Sequence, residues 1–170
     1  MSHTSFETFQ ELASRGTFVP VCKEIRADLL TPLSAFLKVA ENADHAFLFE
    51  SVEGGEHVAR YSFLGKDPFL VLRSRDGVTI AEENGVTTST PGTFVDRLRT
   101  VMGDYQAPVV PGLPRFTGGA VGFLGYDAAS WFEPSLEGVW AARDAPSSGE
   151  DDAGFMLFDT IMAFDHVKHR

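Results

Sequence analysis

Two dipeptides, Asp76-Gly77 and Asn84-Gly85, constrain this chain more than any other feature, because each stands between short runs of strand-forming residues. Asp-Gly and Asn-Gly tolerate the positive φ angles of a two-residue hairpin turn, so residues 69–73, 78–80 and 86–88 are expected to form an antiparallel meander. Helical spacing surrounds it. Phe6, Phe9, Leu12 and Ala13 recur every three or four residues before Gly16, and their apolar face is expected to cap a sheet. Thr31-Pro32 offers an N-cap hydroxyl followed by proline at the first helical position, and Leu33, Phe36, Leu37 and Ala40 continue the period. A further helix is expected from Thr90-Pro91 through Phe94, Val95, Leu98 and Met102, with Gly103 near its end. Residues 18–25 alternate enough to read as a strand. Residues 155–164, nearly all apolar, read as one strand covered on both faces. The fold class is therefore α+β, mainly antiparallel sheets flanked by helices. With 170 residues, 44% of them hydrophobic and fifteen of them phenylalanine, the chain can bury a core as one domain, 1–170.

Chemistry concentrates in residues 46–65. An apolar run, Ala46-Phe47-Leu48-Phe49, leads into Glu50-Ser51, and a Gly54-Gly55 turn returns the chain through Arg60-Tyr61-Ser62-Phe63. A hairpin here faces a carboxylate, a hydroxyl and a guanidinium toward one turn. That set suits a zwitterion, since a carboxylate accepts from an ammonium and a guanidinium holds a carboxylate by charge-assisted hydrogen bonds. The same residues equally suit an ordinary hairpin with solvated charges.

The remaining motifs are weaker. Gly118, Gly119, Gly122 and Gly125 superficially resemble a dinucleotide loop, but no Lys-Ser or Lys-Thr follows and no βαβ unit surrounds them. Close approach of another backbone, or a bulged strand, accounts for the glycines more simply. Residues 107–115 carry Pro108, Pro111 and Pro114 and read as an extended linker. Residues 133–152 are acidic and small and read as a mobile excursion, in which consecutive Glu150-Asp151-Asp152 lack a calcium-loop pattern. The five histidines are scattered, and the single cysteine, Cys22, sits in an apolar run where a buried thiol is expected. A net charge of −10 argues against nucleic acid and anionic membrane surfaces. No secretory leader or membrane span is read, and a reducing, cytoplasmic setting is expected.

Three blocks carry a family resemblance: Phe47-Leu48-Phe49-Glu50-Ser51 with Arg60-Tyr61-Ser62-Phe63-Leu64-Gly65, then Phe116-Thr117-Gly118-Gly119-Ala120-Val121-Gly122-Phe123-Leu124-Gly125-Tyr126-Asp127, then Phe158-Asp159-Thr160-Ile161-Met162-Ala163-Phe164-Asp165. In this order they resemble the amino-terminal portion of the large subunit, component I, of anthranilate synthase, a lyase of tryptophan biosynthesis. The resemblance implies a magnesium-dependent amination of chorismate with loss of pyruvate, ammonia coming from a glutamine amidotransferase subunit. The residues for chorismate and Mg2+ belong to a carboxyl-terminal catalytic region outside this sequence, so no catalytic residue and no metal ligand is carried over, and the chain alone is expected to be inactive. What the resemblance does carry over is a feedback site for L-tryptophan. It implies Glu50 and Ser51 in the pocket, with Leu48 and Phe49 beside them and Arg60 or Tyr61 on the facing strand. Phe49 replaces the commoner leucine, and Ser130 stands where relatives often have arginine. The glycine block would lie near the subunit junction. Aminodeoxychorismate synthase component I and a free-standing amino-acid-binding module are the alternatives.

Overall fold

The computed structural model describes residues 4–27, 29–50, 60–133, 135–136 and 149–170. Along them the chain forms α1 (Phe6–Ala13), α2 (Pro32–Val39), β1 (Ala46–Phe49), β2 (Tyr61–Lys66), β3 (Leu70–Arg75), β4 (Val78–Glu83), β5 (Val86–Pro91), α3 (Phe94–Gly103), β6 (Gly119–Leu124), a 3₁₀ helix (Tyr126–Trp131), β7 (Ala153–Phe158) and β8 (Met162–Asp165). The fold is α+β with antiparallel sheets. Its contacts divide into two units. The first comprises Met1–Pro68, Val101–Gly119 and Phe158–Arg170, and the second Phe69–Thr100 and Ala120–Leu157.

The second unit holds the meander. Asp76 and Gly77 adopt φ of 50° and 72°, and Asn84 and Gly85 adopt 52° and 75°. Positive φ at both central residues defines the turn whose twist matches that of the flanking strands. The five-stranded sheet runs β5-β4-β3-β7-β6. Central β3 buries Leu70, Val71 and Leu72 in succession, as a strand covered on both faces should. Edge strand β5 is exposed throughout and, after Val86, is built from threonine, serine and proline, a mostly polar edge that discourages further pairing. In β6 the glycines serve close approach. A Cβ on Gly122 would lie 1.9 Å from the carbonyl oxygen of Gly154, and the Gly125 N–H donates to the Asp152 carbonyl at 2.7 Å.

The first unit holds a sheet ordered β1-β2-β8. Its hairpin pairs Phe47 with Gly65 and Phe49 with Phe63, and β2 pairs onward, Tyr61 with Asp165 and Phe63 with Ala163. Helix α2 packs on β1 and β2. It starts in a capping box in which Thr31 Oγ1 accepts from the Ser34 N–H and Ser34 Oγ from the Thr31 N–H.

Several expectations need correction. Residues 18–25 make only an isolated bridge at Lys23. Pro20 brings no N–H, the Phe18 N–H donates to the Gln106 carbonyl, and the Cys22 N–H donates to Thr4 Oγ1, so no ladder is left to build. Residues 155–164 are two strands in two sheets, broken at Asp159-Thr160, rather than one. The third helix begins after Thr93, since Pro91 still belongs to β5. Helix α2 buries Pro32 and Ala35 and leaves Leu33 and Leu37 exposed, while Phe6 and Phe9 of α1 stack on each other in the open. Cys22 is half-buried. Most of 133–152 lies outside the described residues. Among those described, no helix is long and apolar enough to cross a membrane.

Gly122→Ala should destabilise the chain by about 3 kcal/mol or more, because the added methyl meets backbone that cannot rotate away. Gly103→Ala, whose Cβ meets nothing within 4 Å, should be neutral or slightly stabilising. Urea unfolding of both variants beside the parent checks the pair.

Candidate functional site

Alternation along the hairpin decides which side chains meet. Residues two apart share a face, so Tyr61 and Phe63 lie on the same side of β2, opposite Phe49 of β1. With Leu48 and Glu50 they line a solvent-open recess of about 360 Å³. Three of its five lining residues are aromatic. Tyr61 and Phe63 centroids are 6.0 Å apart, Phe63 meets Phe116 edge-on at 5.4 Å, and Phe47 stands 5.3 Å from Phe49. Buried Phe47 is in turn edge-on to Phe158 at 4.8 Å. Such pairs add roughly 0.5–1.5 kcal/mol each beyond the area they bury. Glu50 is an exposed lining residue whose carboxylate can accept from a ligand ammonium.

Of the residues expected at this site, Leu48, Phe49, Glu50 and Tyr61 come together at the recess. Ser51 lies outside the described residues. Arg60 is committed elsewhere, its guanidinium forming a fork on Asp165, Nε to Oδ1 at 3.1 Å and Nη2 to Oδ2 at 2.8 Å. Phe63 was not among the expected residues, although its spacing from Tyr61 places it on the same face.

Asp165 is only 5% exposed, and four N–H groups meet its carboxylate: the two of Arg60 and the backbone N–H groups of Val167 and Lys168, which donate to Oδ1. Arg60 holds the Asp165 carboxyl below the ordinary carboxylate range against the opposing effect of burial, and the backbone donors assist. The Arg60 pKa is raised further by the same partner. Next to this pair, fully buried Ser62 shares a 2.8 Å hydrogen bond with His166 Nε2, and the His166 N–H donates to the Arg60 carbonyl. Ser62 Oγ has no access to solvent, so this Ser-His contact is structural. Among the described residues no group of three or more His, Cys, Asp or Glu is arranged to hold a metal ion.

Comparison with known proteins agrees with the three sequence blocks. No protein-family model matches the chain. Anthranilate synthase component 1 of Acetivibrio thermocellus is 38% identical over 176 residues, a span covering 100% of this chain and 33% of that protein. The Synechocystis protein of the same name is 39% identical over 171 residues, again covering 100% and 33%. The crystal structure of anthranilate synthase component I from Streptococcus pneumoniae superposes with a TM-score of 0.51 at 27% identity, covering 88% of this chain and 30% of that one. The chain spans about a third of the length of the curated relatives it matches, and it matches their amino-terminal region.

The lowered pKa of Asp165 has a definite sign. A carboxyl whose folded pKa lies below its unfolded value stabilises the fold above the unfolded value, about 4 for aspartate, and loses that contribution as pH falls through the folded one. The stability difference between the parent and Asp165→Asn should therefore be constant from pH 7 to about pH 5 and shrink below about pH 4. Urea unfolding at a series of pH values checks it.

Proposed function

We propose that the recess bounded by Leu48, Phe49, Glu50, Tyr61 and Phe63 is part of a feedback site for L-tryptophan, and that Ser51 and Arg60 border it. The single observation that carries this reading is the convergence of one carboxylate with an aromatic-lined hollow on two adjacent strands. An indole stacks on aromatic faces while its α-ammonium meets Glu50.

On this reading residues 1–170 are the regulatory and scaffold domain of an anthranilate synthase component I. The complete enzyme converts chorismate and ammonia or glutamine to anthranilate and pyruvate, with Mg2+ and a glutamine amidotransferase partner. Chorismate and magnesium are handled by a carboxyl-terminal region, and residues 1–170 alone have no synthase activity. The similarity to proteins named anthranilate synthase component 1 supports this assignment. Tryptophan inhibits by binding better to the conformation in which the catalytic region cannot close, since a ligand shifts an equilibrium only by its unequal affinity for two states.

Isothermal titration of the chain with L-tryptophan should show one saturable site, weakened about tenfold or more by Glu50→Gln through loss of a charge-assisted contact. Ser51→Ala should weaken it as well, and L-phenylalanine should bind less tightly than L-tryptophan. A folded chain that shows no saturation with L-tryptophan overturns the reading.

A further inference from the structure

Tyr61 forms one wall of the recess, and a ring that lines an open hollow keeps one orientation only where a partner holds it. Arg60 is that partner. The Arg60 Cζ stands 4.9 Å from the Tyr61 centroid, within the range where a cation is attracted to an aromatic face. Arg60 stands just before β2, its long side chain has many rotamers, and about one third of it is exposed. Asp165 selects one of them. Its two oxygens engage Nε and Nη2 together, a fork that fixes the guanidinium plane as well as its position.

Asp165 is itself held from its own side. Its Oδ1 accepts from the Val167 and Lys168 N–H groups, its N–H donates to the Arg170 carbonyl, and β8 places it directly across from Tyr61. Backbone N–H groups thus hold a carboxylate, the carboxylate holds a guanidinium, and the guanidinium lies against a ring that lines the recess.

We propose that Asp165, about a hundred residues from Tyr61 in sequence and absent from the recess lining, is a positioning residue for the ligand site, acting through Arg60 on the Tyr61 ring. The inference rests on the recess being the ligand site, and it gives Arg60 a role other than clamping a ligand carboxylate.

The test uses the whole chain with ring-labelled tyrosine, which gives three signals, from Tyr61, Tyr105 and Tyr126. Asp165→Asn should move the Tyr61 resonance and leave those of Tyr105 and Tyr126 in place, and it should weaken L-tryptophan about fivefold, the scale of one partly exposed cation–ring contact. Asp165→Glu, which keeps the charge, should recover part of both effects. Should Asp165→Asn not fold, Arg60→Gln is read in the same way, since it leaves Asp165 capped by two backbone N–H groups. An unmoved Tyr61 signal, or unchanged affinity in a folded variant, overturns the proposal. If the parent chain does not bind L-tryptophan, the ligand reading fails, and the Tyr61 signal still decides whether Asp165 orders that wall.

Discussion

The first unit is organised around the contact of Phe47 with Gly65. The two residues are directly paired across β1 and β2, and a Cβ on Gly65 would come within 2.6 Å of the Phe47 ring. Only because that position lacks a side chain can the ring lie over the neighbouring strand. From there it meets Phe158 and Phe116 edge-on, and Phe116 in turn meets Phe63. Any larger residue at position 65 would push Phe47 outward and dissolve the aromatic row. Phe49, Tyr61 and Phe63, which contact this row or one another, line the recess.

Electrostatics acts on the same strand from its other end. An arginine next to a tyrosine could serve a ligand, a neighbouring acid or the solvent, and the fold allots it to an acid that is nearly buried. A buried carboxylate without such compensation would be costly, since burial disfavours its charged form. The fork with Arg60 and the two backbone N–H groups offset that cost, and the Ser62–His166 hydrogen bond satisfies the adjacent buried hydroxyl. Glu50, among the recess lining, stays exposed to solvent.

Local features were legible in the sequence and long-range ones were not. Asp-Gly and Asn-Gly set their turns by backbone sterics alone, and Thr31-Pro32-Leu33-Ser34 carries its own cap, so both appear where the residues place them. The strand reading of 18–25 failed because alternation says nothing about whether N–H groups find a ladder, and here they find Gln106 and Thr4 instead. The continuous strand reading of 155–164 failed because apolar character shows burial and not which sheet supplies it. Helical spacing predicted α2 but not which of its faces is buried. At the recess, the nearness of Glu50 to the Arg60-Tyr61 segment follows from reading residues 46–65 as a hairpin, whereas Leu48 and Phe49 enter only through the family resemblance. The commitment of Arg60 to Asp165 was not legible, because nothing local in Arg60-Tyr61-Ser62 announces a partner 105 positions away.

That separation has a consequence for biosynthesis. Strands β3, β4 and β5 pair with immediate neighbours and can zip as soon as they leave the ribosome, whereas β2 must wait for β8. Throughout translation of some hundred intervening residues Arg60 has no Asp165 to hold it, and one long edge of β2 is open. The three-stranded sheet is completed only once β8 has been made, so a nascent chain stalled before Met162 carries a finished meander and an unfinished three-stranded sheet.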